Sequence, residues 1–256
     1  MAGLIEERRG AICLLTIDRP GRANALDAAT SAALDEALTR AEADPAIGAT
    51  VLTASGERAF CSGMDMKEAA EAGAGKGLIP GRGFGGVTER QRAKPLIAVV
   101  NGAAVAGGFE IVLACDMVFA APHAVFGLSE VKRGLFAYAG GVQRIARQLP
   151  RATGLAMVLT GEPLPAERMH QLGLVTNIFD ADALLGRALA MVEAMLEHSW
   201  DAIGHALALY DASRAMPEEM ALRFGRRFGD ATLGSADAPE GVSAFAQGRG
   251  AKYDNR

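Results

Sequence analysis

Ala106-Gly107-Gly108-Phe109-Glu110 is the stretch whose residue types offer the most chemistry. Two glycines open an otherwise apolar helical run that ends at Asp116, so their amides fall among the donors a helix start leaves unpaired. Lacking Cβ atoms, they let a ligand approach the backbone, and the helix dipole favours negative charge there. An oxyanion hole needs donors of this kind, each typically worth about 3–4 kcal/mol in the transition state. Close packing of a helix on a strand selects the same glycines, and the pattern leaves both readings open. Glu110 sits among Phe109, Ile111, Val112 and Leu113. Desolvation by such neighbours raises a carboxyl toward the range useful for proton transfer. An ordinary first-turn glutamate complementing the dipole has the same local sequence.

Glu130 is the second candidate acid or base, between Phe126-Gly127-Leu128-Ser129 and Val131-Lys132-Arg133-Gly134. Its plainer reading is a surface carboxylate paired with Lys132 or Arg133. A helix and a strand intervene between the glutamates, which allows the chain to return, but spacing does not show that they meet. Other constellations fail. His123, His170, His198 and His205 are scattered without metal-ligand spacing, so no metal site is expected. Gly140-Gly141 before Val142-Gln143-Arg144 lacks the Walker pattern, and Ser62 and Ser129 lack a GxSxG elbow. No GxGxxG follows the strand expected at 95–101, and the scattered methionines read as core fillers.

The elements that must position these residues follow from periodicity and punctuation. Strands are predicted at 11–17, Ala49–Ala54, 95–101, 117–121, 124–127 and 174–179. A helix capped by Asp27 and closed by Pro45 lies between the first two. Further helices are predicted at Met66–Ala72, from Gly107, and at 140–149, 152–159 and 165–172. Residues 73–86 hold seven glycines, which predicts a mobile surface excursion. Beyond residue 180 the pattern is helical, broken near Trp200, Pro217 and Pro239. Mixed strands and helices before an all-helical tail indicate an α/β core with a helical C-terminal module.

Composition narrows the partners. The 256 residues are half hydrophobic and 22% charged with a net charge of −4, which suits a globular protein with a substantial core. The acidic balance speaks against a nucleic-acid partner, and no apolar run is long enough for a membrane span. The opening MAGLIEERRG lacks the features of a signal peptide. Cys13, Cys61 and Cys115 are odd in number and widely spaced, so free thiols and a cytoplasmic setting are expected.

Taken together, the segments resemble the crotonase, or enoyl-CoA hydratase/isomerase, superfamily. The likeness runs from Asp18-Arg19-Pro20 and Asn24-Ala25-Leu26 to Glu240-Gly241 and Ala244-Phe245. Its most specific blocks are 59–65, Asn101-Gly102 with 107–110, and Phe126-Gly127 to Glu130 with Gly140-Gly141 and Gln143-Arg144. The resemblance implies an α/β spiral of repeated ββα units over residues 1–198. It also implies a C-terminal helical trimerisation region over 199–256, giving homotrimers or hexamers. It implies an enoyl-CoA hydratase, with isomerisation of an enoyl-CoA or weak CoA binding as alternatives. Glu110 and Glu130 match the two catalytic glutamates, and the amides of Met64 and Gly107 match the oxyanion hole. Arg22, Ala23, Ala25, Ser62, Gly63, Asp65, Met66, Gly108 and Tyr138 match positions near CoA and the acyl group. Coenzyme A is part of the acyl-CoA thioester substrate, and no separate cofactor is implied. Four positions depart from the hydratase pattern: Ala106 replaces a frequent glycine, Ser129 a usual proline, and Ala137-Tyr138 a Pro-Gly pair. Gly-Gly-Phe-Glu with Glu-Val-Lys-Arg-Gly is also similar to the carnitinyl-CoA dehydratase branch.

Overall fold

The computed structural model describes residues 3–73 and 75–255. Met1 and Arg256, at the outer limits of the two expected regions, Ala2 of the opening segment, and Ala74 of the glycine-rich segment lie outside the described residues. The chain opens with β1 (Leu4–Arg9), β2 (Ile12–Ile17), α1 (Ala28–Ala43), β3 (Ala49–Ala54), β4 (Ala59–Cys61) and α2 (Met66–Ala72). Next come β5 (Leu78–Ile79), β6 (Gly83–Phe84), β7 (Leu96–Val100), β8 (Ala103–Val105), α3 (Gly107–Leu113), β9 (Met117–Ala120) and β10 (Val125–Gly127). After α4 (Gly141–Gln148), α5 (Arg151–Thr160), β11 (Leu164–Pro165), α6 (Ala166–Gln171) and β12 (Asn177–Ile178), the chain is helical: α7 (Leu184–Leu196), α8 (Trp200–Ser213), α9 (Glu218–Leu233) and α10 (Asp237–Ala246).

Six strands form one sheet in the order β1-β2-β3-β7-β9-β12, parallel throughout except for the antiparallel β1–β2 pair. Its central strands are buried on both faces, which explains why their sequences run apolar without alternation. In β7, Ile97 and Val99 face α7, whose Leu184, Ala188, Val192 and Leu196 recur on one helical stripe. Leu96, Ala98 and Val100 face the opposite way, into the larger core with Leu34 and Leu38 of α1. Asp27 caps α1 as predicted, accepting a hydrogen bond from the Thr30 amide at 2.8 Å.

A second sheet, β11-β10-β8-β4, positions the site. Both β4 and β10 run parallel to β8. Their C-terminal ends therefore share one edge, the usual place for a ligand in parallel sheets.

Several expectations are corrected. β1, β4 and β8 lie where no strand was predicted; β1 reads LIEERR, too charged for an apolar-run signal. The strand at 174–179 contracts to Asn177–Ile178, and Pro239 sits inside the first turn of α10, where a missing N–H costs nothing. The largest correction concerns the glycine-rich segment. Residues 83–88 are buried, not a surface excursion. β5 and β6 form a hairpin, and arginines hold it down: Arg90 Nε donates to Gly86 O at 2.7 Å, while Arg82 and Arg90 both pair with Asp35 of α1.

Candidate active site

Three loops leave the shared strand edge: 62–66 after β4, 106–110 after β8, and 128–130 after β10. They enclose a cavity of about 680 Å³, and Met64, Gly107, Glu110 and Glu130 all line it. Leu26 N donates to Gly63 O at 2.8 Å and Asp65 N to Leu26 O at 2.9 Å, a parallel bridge that skips the Met64 amide. At the start of α3, the amides of Phe109 and Glu110 both return to Ala106 O, at 2.9 and 3.0 Å. Among the described residues, neither the Met64 nor the Gly107 amide has an acceptor. The two segments touch, since a Cβ added to Gly63 would lie 2.9 Å from Gly107 N. Ala106, at the turn between β8 and α3, takes φ 51° and ψ −132°, a conformation open to glycine and strained for alanine.

Glu110 is only 4% exposed. Its Oε1 accepts the Gly141 amide at 2.9 Å. Burial pushes its carboxyl up to about 7; the nearby Glu130 charge adds to the rise, and the amides of Gly141 and Ala139 and the Arg144 cation oppose it. Glu130 opens a short 3-10 turn, Glu130–Arg133. Burial raises its carboxyl too, and among the described residues its buried Oε2 has no hydrogen-bond partner. Ion pairing with its neighbours does not consume this glutamate: Lys132 pairs with Glu162 at 2.7 Å, and Arg133 reaches back to Ser129.

The other predicted residues divide. Arg22, Ala25, Ser62, Asp65, Met66 and Tyr138 line the cavity. Ala23, Gly63 and Gly108 do not line it and act behind it. Ala23 O accepts the Ser62 amide at 3.1 Å, tying the loop at 22–26 to the one at 62–66. At Gly108 a Cβ would collide with the Cys61 carbonyl of β4, so close packing on that strand also requires glycine there. Arg19 fastens the same two loops, bonding Asp27 at 2.7 Å and Asp65 at 3.0 Å. Asn24 accepts the Arg19 amide at 2.9 Å and donates to Ala59 O at 2.7 Å. Burial pushes the Asp65 carboxyl up, but the Lys67 amide and Arg19 outweigh it and hold it below its ordinary value.

Sequence reasoning missed part of the lining. Lys67 and Arg133 place cationic side chains on the cavity, and Leu78, Phe84 and Val105 give it apolar wall. The rim carries Leu135, Phe136 and Tyr138; the last two are 62% and 54% exposed, with ring centroids 5.8 Å apart. The resemblance includes Gly141 in a specific block but gives it no site role. A Cβ on it would lie 2.9 Å from Glu110 Oε1 and 2.8 Å from Ala137 Cβ, so its bare amide is what lets the carboxylate dock. Among the described residues, no group of three or more His, Cys, Asp or Glu side chains is placed to hold a metal ion.

Known proteins share this fold. An enoyl-CoA hydratase from Mycobacterium tuberculosis H37Rv superposes with a TM-score of 0.94 and 36% identity over all of both chains. A carnitinyl-CoA hydratase from Mycobacterium avium superposes at 0.77 with 38% identity, again over all of both chains. The architecture is thus the α/β crotonase fold. In sequence, a carnitinyl-CoA dehydratase of Salmonella enteritidis PT4 is 37% identical over 254 residues, 97% of either chain. The family model described as Enoyl-CoA hydratase/isomerase matches residues 7–256. The chain belongs to the enoyl-CoA hydratase/isomerase family and is an enzyme of the crotonase type.

Proposed function

We propose that the protein is a hydro-lyase that reversibly adds water to a 2-enoyl-CoA. The observation that carries this reading is the meeting of a buried carboxyl, Glu110, and a partly buried one, Glu130, with the amides of Met64 and Gly107, unpaired among the described residues, on one cavity. Glu110 takes a proton from water as the oxygen bonds to C3. The double-bond electrons move toward the thioester, whose oxygen becomes an enolate oxyanion held by the two amides. Glu130 then delivers a proton to C2, and elimination runs the same steps backward. Their fields interact, so the proton inventory belongs to the pair. Fixed amides stabilise the oxyanion without reorganisation, and the apolar walls of Phe84 and Val105 strengthen them by keeping water out.

The rest of the chain fits the same reading. Arg22, Lys67 and Arg133 place cationic side chains on the cavity that suit the phosphates of coenzyme A, while the loops at 22–26 and 62–66 offer backbone to its adenine and pantetheine. Coenzyme A arrives as part of the substrate. Residues 1–198 form the catalytic core and 199–256 the assembly region, where Tyr210, Leu222, Leu233, Val242 and Phe245 are exposed and await a partner copy in a homotrimer or hexamer. Among the described residues no helix is long and apolar enough to cross a membrane, and Cys13, Cys61 and Cys115 are free.

Carnitinyl-CoA is a specific candidate within this chemistry. The likeness to proteins named for it is one support. The tilted Phe136 and Tyr138 rings at the rim are another, since aromatic faces attract quaternary ammonium groups.

Loss of the conjugated enoyl-thioester absorbance on adding crotonyl-CoA tests the reaction. Wild type should hydrate, and Glu110→Gln and Glu130→Gln should each lower kcat about 10²- to 10⁴-fold. Double-bond migration that survives either change would show an isomerase instead. Dehydration of carnitinyl-CoA in preference to 3-hydroxybutyryl-CoA would assign the cationic substrate.

A further inference from the structure

We infer that Arg144 is a positioning residue, which fixes the Glu110 carboxylate by clamping the Gly140–Gly141 turn to the buried end of the glycine-rich hairpin. The inference rests on the hydratase reading for its catalytic consequence, but its contacts stand independently.

Arg144 lies in the first turn of α4, and its guanidinium folds back over Gly140. A Cβ at Gly140 would collide with that guanidinium, and Gly140 adopts φ 105°, a conformation few other residues tolerate. Nη2 then crosses to a separate segment and donates to the Thr88 carbonyl. Thr88 is fully buried, and its Oγ1 accepts the Phe84 amide at 2.9 Å. The Phe84 ring lies against Gly107, where an added Cβ would be 2.6 Å from the ring. At the other end of the clamp, the Gly141 amide meets Glu110 Oε1 at 2.9 Å. One cation thus links the carboxylate's orienting amide to the aromatic wall behind the Gly107 amide.

Its charge acts in the same place. Burial works against the charged guanidinium and, with help from Arg92, holds it below its ordinary value, while Glu110, Cys115 and Glu89 favour it. Glu110 itself faces Glu130, Arg144 and the amides of Gly141 and Ala139. The mechanism of proton transfer does not require Arg144 to touch substrate, and it does not line the cavity. A displacement of the carboxylate by about 1 Å is enough to cost about 10²-fold in rate.

Arg144→Met should therefore lower kcat about 10- to 100-fold with KM nearly unchanged. The limb of the pH profile that reports Glu110 should move to higher pH, because a neighbouring cation that favours the carboxylate is gone. Arg144→Lys should recover part of both effects. If Arg144→Met does not fold, Arg144→Gln, neutral but still a donor, should show the same upward limb. Titration of Glu110 by carboxyl-13C NMR reads the contact without turnover. An unmoved Glu110 midpoint in the neutral variant overturns the inference, as does wild-type kcat. Absence of hydration by wild type, with the NMR shift present, overturns the hydratase reading alone.

Discussion

The turn that opens α3 and the 3-10 turn after β10 each deliver one glutamate to the cavity, and they hold it differently. Glu110 is almost wholly buried, seated on a helix and docked on the Gly141 amide. Glu130 begins a single irregular turn, is more accessible, and leaves one carboxylate oxygen without a partner. A docked carboxylate has a defined direction in which to accept a proton. An undocked one keeps an oxygen for substrate. The asymmetry matches the roles proposed for them, water activation and α-protonation.

The comparison is broken most severely by Gly141→Ala. The added methyl displaces the docked carboxylate, so kcat should fall about 10²-fold, whereas Gly134→Ala beside the other turn meets no atom within 4 Å and should cost only the strain of its φ of 70°. Steady-state kinetics on the two variants decide it; similar losses in both would remove the distinction. The pH dependence of stability sharpens it next. A carboxyl raised from 4.5 to about 7 on folding stays protonated where the unfolded chain has already ionised. Stability is therefore lost as pH rises from the unfolded to the folded value, between about 4.5 and 7. Glu110→Gln removes that loss and should be more stable than wild type at pH 8, on the order of 2–3 kcal/mol, with the gain fading below pH 5. Denaturant melts at both pH values check this. The smallest effect is expected at Ala106→Gly, which relieves the strained backbone ahead of α3 by about 1 kcal/mol and should raise Tm by a few degrees in calorimetry.

Part of this arrangement was legible in the sequence. The Ala49–Ala54 strand and the Met66–Ala72 helix stand where runs and punctuation put them, because their burial and caps are local properties. Glu110 was legible as a desolvated carboxyl because its helix neighbours are all apolar. The gathering of the site was not. It depends on β4, β8 and β10 lying side by side in parallel, and strands of three residues carry almost no periodic signal. Glycine misled at 83–86 of the 73–86 segment, where the richness that predicts mobility records backbone packed against other atoms. The docking of Glu110 on Gly141 was not legible, because the two lie 31 residues apart along the chain.

The antiparallel strand at the start of the chain has a consequence for solubility. It is one free margin of the six-stranded sheet, and such margins recruit strands from other molecules. Glu6, Glu7, Arg8 and Arg9 give that margin a dense run of charge of both signs, while the opposite margin, Asn177–Ile178, is too short to template anything. The charges that hid this strand from an apolar-run search are the same ones that discourage the sheet from growing into an aggregate.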